Sequence, residues 1–309
     1  MDLMNKHLLL EKLKEIPQSQ LDILTNEPLS RHTTFRIGGN ADLFLLPHTV
    51  EAFCTILCAL TDLAISYRVI GNASNILAAD DGFRGAIVCT TRMNGIALTD
   101  NGLSALCGAS LARCAQIAAQ NALSGIEKLS GIPGTVGGAL AMNAGANGTE
   151  ISSLVTSVLV YDVKRKTTKT VSPDELAFSY RHSLISDATL IALQCELSLQ
   201  PRSREEIFEE MRSLSEKRRA TQPLEFPSAG SVFKRPPNDY AGRLIEAAGL
   251  KGKRIGDAEI SEKHAGFIIN RGHACASDVL ALIEEIKTAV RMQSDVLLVC
   301  EIEYLSSGE

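Results

Sequence analysis

The sequence has no tryptophan, so no indole emission overlaps that of any chromophore it binds. It also lacks long hydrophobic runs. The longest strongly apolar, uncharged stretch, Ala52 to Thr61, is ten residues, about half of what a membrane-spanning helix requires. The opening MDLMNKHLLLEKLKEIPQ has only three consecutive leucines before charge returns, too few for a signal-peptide core. These shortages predict a cytoplasmic chain without a membrane span, starting in an amphipathic helix. Eight cysteines, at 54, 58, 89, 107, 114, 195, 275 and 300, include no C-x-x-C pair and no companion ligands at metal spacing. That excludes the common zinc patterns and predicts buried, reduced thiols and no metal. A net charge of -5 gives no bulk attraction for nucleic acid or an anionic membrane. Neither G-x-G-x-x-G nor G-x-x-x-x-G-K-[ST] occurs, which removes the usual Rossmann fingerprint and the P-loop.

What is present is globular. Apolar residues make up 45% and charged residues 22% of 309, and that length exceeds what one core comfortably serves, so two or three sub-domains meeting at clefts are expected. Apolar runs at 42–47 (DLFLLP), 67–71 (YRVIG) and 86–90 (AIVCT), with a helical pattern over 50–63, predict an α/β piece. A second sheet is predicted from SALCGA at 104–109, strands around 157–162 and 189–199, and a helix LARCAQIAAQNA capped by Ser110. Beyond Pro201 the pattern gives a charged helix over 205–219, a helix over 278–290 and a final strand over 296–304. The expected division is an N-terminal helix (1–20), two pieces at 21–92 and 93–202, and a third unit at 203–309.

Between positions 125 and 148 lie seven glycines in 24 residues, against 23 in the whole chain, and positions 129–149 carry no charged side chain. Glycines opening a helix let backbone N–H groups approach a ligand and cradle a phosphate. Peptide N–H groups, helped by the Ser130 and Thr135 hydroxyls, would do the holding here. Tight helix packing is the competing explanation. Two further candidates are GNASN at 71–75, where Ser74 and Asn75 either donate to a phosphate or cap the next element, and RIGGN at 36–40, a phosphate turn or an ordinary one. In LLVCEIEY, alternation puts Glu301 and Glu303 on one face, turned either to solvent or to a cleft.

In this order, TTFRIGGNADLFLLP, GNASNIL, LSGIPGTVGGALAMNAGANG, FSYRHS, PSAGSVFKRP, EKHAGFIIN and CEIEYL resemble the UDP-N-acetylenolpyruvoylglucosamine reductases, the MurB flavoenzymes. The likeness runs over about residues 20 to 305. It implies an α+β or α/β fold: a two-part FAD-binding domain of the vanillyl-alcohol-oxidase type and a C-terminal α+β substrate-binding domain. It implies NADPH-dependent reduction of UDP-N-acetylglucosamine enolpyruvate to UDP-N-acetylmuramate in peptidoglycan synthesis. The partners implied are small molecules, with FAD held non-covalently, no nucleic acid, no membrane, and a monomeric enzyme.

By this resemblance Ser231 donates a proton to carbon, Arg181 stabilises the enolate and Glu301 is the partner carboxylate. FAD-binding residues would be Arg36, Gly71, Asn72, Ala73, Ser74, Asn75, Ser130, Gly131, Ile132, Pro133, Gly134, Thr135, Gly137, Gly138, Asn143, Gly145 and Ala146. The substrate would meet Tyr180, Arg218, Lys234, His264 and Asn270. The residue types suit these tasks: a guanidinium fork matches a carboxylate whose charge grows, and a hydroxyl can act as general acid when neighbouring charges support it. Taken singly, Ser231 could instead bond backbone in its turn, Arg181 could be a surface ion-pair residue, and His264 and Asn270 could cap turns. The cations at 217–219 (KRR), Lys234, Arg235 and 251–254 (KGKR) suit a diphosphate, although KRR equally suits the C-terminal dipole of its helix.

Two positions depart from the family pattern. Its usual G-x-G-S-N has Ala73 here, and its usual H-A-N-F has Gly266. A Tyr-rich insertion is missing, as in the family's shorter type. Competing functions are a FAD oxidase of the same fold acting on alcohols or lactones, and a non-catalytic UDP-sugar-binding module that needs no flavin.

Overall fold

A computed structural model describes residues 3–307. They form two compact units interleaved along the chain. The first holds the residues up to Thr25, Leu43–Asn72 and Gly85–Glu216; the second holds Asn26–Asp42, Ala73–Arg84 and residues from Lys217 onward.

In the first unit, helix α1 (Leu3–Leu13) packs on α2 (Val50–Asp62). Thr49 caps α2 by accepting from Ala52 N at 3.2 Å, and α2 buries Phe53, Ile56, Leu57 and Leu60, the spacing of a single helical stripe. Strand Tyr67–Ile70 runs parallel to Phe83–Cys89. The sheet they belong to has the order Leu21–Pro28, Asn40–Pro47, Phe83–Cys89, Tyr67–Ile70. The second sheet is antiparallel, in the order Thr167–Val171, Val155–Asp162, Leu190–Ser198, Gly102–Leu106, Ile96–Thr99. Helix α3 (Leu111–Gln120) starts at Ser110, whose Oγ accepts from Arg113 N at 3.2 Å. Helix α4 (Val136–Ala141) lies in the glycine-rich passage. Leu43, Phe53, Leu103, Leu129, Val136, Leu140 and Val158 share this unit's core.

Helix α5 covers Arg204–Thr221. The second unit carries α6 (Ala241–Ala247), α7 (Ala276–Ser294) and a three-stranded antiparallel sheet of Arg254–Ile255, Ala258–Ile260 and Ile268–Asn270. Its core joins Phe35, Ile37 and Leu77 to Val232, Phe233, Ile245, Leu282 and Ile283. The terminal segment differs from the expected strand over 296–304: regular strand covers only Glu303–Leu305, parallel to Ile76–Ala78. Leu298 and Ile302 are buried while Leu297 and Val299 are exposed, so the alternation is real. The ladder is not, because 296–302 meets the 231–234 segment through a single bridge, Phe233 to Cys300.

All eight cysteines are free thiols; burial pushes Cys114 up to about 11 and Cys107 to about 12. Among the described residues no helix is long and apolar enough to cross a membrane, and no group of three or more His, Cys, Asp or Glu could hold a metal ion.

Candidate active site

The glycine passage is tied down on one side and left open on the other. Ile132 N and Ser130 N close turns on Leu129 O and Glu127 O, while Val136 N and Gly137 N donate to Ala109 O and Cys107 O. Thr135 Oγ1 caps α4 through Gly138 N at 3.3 Å. The N–H groups of Gly131, Gly134 and Thr135 have no partner among the described residues. Gly71 lies directly against this loop: a Cβ there would overlap Thr135 Oγ1. Asn72 Nδ2 donates to Pro133 O at 3.0 Å, which ties the 71–72 turn to the loop. Three uncommitted amides in a loop without charged side chains fit a flavin dinucleotide's diphosphate.

A second construction in the same unit carries Arg181. Ser179 and His182 exchange backbone hydrogen bonds of 3.0 and 3.2 Å, so Tyr180 and Arg181 form a two-residue hairpin tip. Arg181 sits at φ +57, and its guanidinium carbon lies 5.0 Å from the Tyr180 ring centroid. Ser183 anchors the hairpin: fully buried, its Oγ donates to Leu140 O at 2.8 Å, the end of α4. Sequence reasoning passed over Ser183, since nothing in FSYRHS marks its second serine as the buried one. Gly145 and Ala146 pair with Glu150 and Thr149 in a second short hairpin.

In the second unit, Ser231 follows Gly230 at φ +80 and bridges Phe267 through the backbone. The side chain is exposed, and its hydroxyl has no partner among the described residues, so it is not absorbed by turn bonding. Glu301 N donates to Val232 O at 2.8 Å, which sets Glu301 beside the 231–234 segment, and Asn75 Nδ2 donates to Glu301 O at 2.9 Å. Arg36 is the exposed tip of a turn at φ +55, closed by Thr33. Ala73 adopts φ +47 and is buried; the backbone takes the left-handed conformation that glycine allows freely, and alanine holds it at a cost of about 1–2 kcal/mol. Arg218 is half-buried, its Nε donates to Gln222 Oε1 at 2.8 Å, and burial holds its pKa below the usual guanidinium value. Lys234 is half-buried, its N–H bound to Val299 O.

Three expected ligand-binding residues are engaged within the chain. Asn270 is 3% exposed; Nδ2 donates to Phe35 O at 3.1 Å and Oδ1 accepts from Gly272 N and Ala274 N at 2.9 and 3.1 Å. Asn143, 2% exposed, is similarly spent on Glu150, Ser179 and Ser152. His264 Nδ1 accepts from Gly266 N at 3.1 Å, which leaves Nε2 to carry the proton of the neutral ring. A Cβ at Gly266 would lie 3.0 Å from His264 Cε1, a tight contact that a small shift of the ring would have to relieve.

Comparison with known proteins accounts for both units. Residues 41–170 match the family described as "FAD binding domain", and residues 222–305 match "UDP-N-acetylenolpyruvoylglucosamine reductase, C-terminal domain". The fold class is the expected one, a FAD-binding domain followed by a reductase C-terminal domain. A UDP-N-acetylenolpyruvoylglucosamine reductase of Caldanaerobacter subterraneus subsp. tengcongensis is 43% identical over 296 residues, covering 96% of this chain and 97% of that protein. Its counterpart in Caldicellulosiruptor saccharolyticus is 42% identical, covering 94% of each. The crystal structure of UDP-N-acetylenolpyruvylglucosamine reductase from Thermus caldophilus superposes with a TM-score of 0.79 at 34% identity, covering 93% of this chain and 99% of that one. Likeness of this extent, over nearly the full length of both partners, means that the chain belongs to the UDP-N-acetylenolpyruvoylglucosamine reductase family.

Proposed function

We propose that this protein reduces UDP-N-acetylglucosamine enolpyruvate to UDP-N-acetylmuramate with electrons from NADPH, a cytoplasmic step of peptidoglycan synthesis carried out by a monomer. The observation that carries the reading is the charge-free loop with free amides at Gly131, Gly134 and Thr135, closed by a glycine at 71 that tolerates no side chain. FAD, when bound, would supply the chemistry of hydride transfer between NADPH and the enolpyruvyl double bond.

The chain's own residues hold, orient and protonate. Loop 130–135 with Gly137 and Gly138, the 71–72 turn and the hairpin residues Gly145 and Ala146 hold the cofactor non-covalently; Arg36, Ala73, Ser74 and Asn75 are further cofactor-binding residues. Asn143 and Asn270, with their carboxamides committed, shape the site without touching ligand. Arg181 pairs its guanidinium with the enolpyruvyl carboxylate and stabilises the charge that gathers there as the double bond is reduced. Ser231 Oγ–H donates the proton to the adjacent carbon, and Glu301, fixed on the neighbouring segment, supports that transfer. Tyr180, Arg218, Lys234 and His264 receive the UDP-sugar. In functional terms segments 21–92 and 93–202 serve FAD and 203–309 serves the substrate.

Anaerobic NADPH should bleach the flavin of the purified enzyme, and UDP-N-acetylglucosamine enolpyruvate should restore its colour. Reoxidation by oxygen alone would instead mark an oxidase, and colourless protein of full stability a binding module. Ser231→Ala should keep the first half-reaction and lose the second; normal turnover removes Ser231 from the chemistry.

A further inference from the structure

We infer that Asn143 is a positioning residue for Arg181, an inference that rests on the role given to Arg181 above. Asn143 is buried at φ +39. Its carboxamide donates to Ser179 O at 3.1 Å and to Glu150 Oε2 at 3.0 Å, and accepts from Ser152 N at 3.3 Å. Both N–H donors and one of the two carbonyl lone pairs are thereby occupied within the chain.

The partners belong to two separate hairpins. One pairs Gly145 with Glu150 and Ala146 with Thr149; the other closes between Ser179 and His182 and carries Arg181 at its tip. Arg181 occupies φ +57, a conformation L side chains adopt only where the surroundings enforce it. Enforcement comes from two sides: Ser183 fixes the hairpin's exit on Leu140 O, and Asn143 fixes its entry on Ser179 O. The guanidinium end is placed by the first hairpin. The point that a Cβ at 145 would occupy lies 2.9 Å from Glu150 Cγ and 3.6 Å from Arg181 Nη1, so the arginine head rests over Gly145 beside the Glu150 stem. Asn143 thus joins the backbone from which Arg181 departs to the hairpin against which its charged end lies. Without the amide the two hairpins shift independently, and a displacement of about 1 Å at a reacting group is worth up to about 100-fold in rate.

The test uses holoenzyme in single-turnover measurements. Asn143→Asp keeps the shape and the acceptor for Ser152 while removing both donors; Asn143→Gly keeps the positive φ and removes the carboxamide. In each, NADPH should reduce the flavin within about twofold of the wild-type rate, while reoxidation by UDP-N-acetylglucosamine enolpyruvate slows about 10- to 100-fold, with kcat falling more than KM rises. Because Asn143 acts through Arg181, adding Asn143→Asp to Arg181→Ala should slow the reaction no further. Additive losses, equal slowing of both half-reactions, or loss of flavin or fold in both variants overturns the inference in favour of a general scaffold role. If Arg181→Ala reoxidises normally, the role of Arg181 itself falls and this inference with it. A slow Arg181→Ala beside a wild-type-rate Asn143→Asp overturns the inference alone.

Discussion

Gly71 shows how a single missing side chain joins two loops. Its φ lies outside the left-handed region, so steric room, not backbone freedom, demands glycine there. Any Cβ pushes on Thr135, whose hydroxyl caps α4. Gly71→Ala should lower stability by about 1–3 kcal/mol, the usual cost of overpacking, and weaken flavin retention, read as denaturation midpoint and bound-flavin content; unchanged flavin occupancy would separate the turn from the cofactor. His264 supplies a pH signature at the same scale. Burial holds its pKa below the ordinary value, and its Nδ1 accepts from Gly266 N. As pH falls the unfolded chain takes up the proton first, so this contribution is complete above about 6.5 and is lost as pH drops through that value toward the lower folded one. The fall in denaturation midpoint between pH 7.5 and 5.5 should shrink in His264→Gln, and an identical fall in both proteins would exclude His264 as its source.

Helices and strands were legible where their signals are local. The stripe on α2, the Ser110 cap of α3 and the two long antiparallel strands are patterns of neighbouring residues, and they fold as read. The start of α7 is different. Asp80, almost 200 positions earlier, accepts from Ala276 N at 2.6 Å and from Ser277 N and Oγ at 3.0 Å each, a cap no window of sequence contains. Asp80→Ala should destabilise the protein by about 0.5–2 kcal/mol, visible as a lowered denaturant midpoint and faster amide exchange in the first turn of α7; unaltered exchange there would assign the cap to Asp278, whose Oδ2 accepts from Cys275 N at 3.2 Å. The partners of Asn143 and Asn270 are hidden for the same reason. Both stand in ligand-like motifs, and each carboxamide also donates to a carbonyl from a distant segment, Ser179 O for Asn143 and Phe35 O for Asn270. The open amides of the glycine loop were legible because they follow from what the loop lacks, charge and Cβ atoms, and both are printed in the sequence.

At the scale of the whole chain, the second unit is assembled from pieces that a linear division separates. Short segments at 26–42 and 73–84 contribute Phe35, Ile37 and Leu77, none more than 2% exposed, to a core otherwise built after residue 217. They also supply the parallel partner of Glu303–Leu305, the cap of α7 and the hydroxyl of Thr34 that donates to Ser228 O at 2.7 Å. Burying three such side chains stabilises by about 5–9 kcal/mol at roughly 1.5–3 each, comparable in size with the net 5–15 kcal/mol by which ordinary domains exceed their unfolded states. A fragment of residues 203–309, the division that composition and periodicity suggest, should therefore lack a cooperative thermal transition and dispersed amide resonances. A fragment that melts cooperatively would mean that the C-terminal residues build a sufficient core without the two early segments, and that their interleaving serves the site and not the fold.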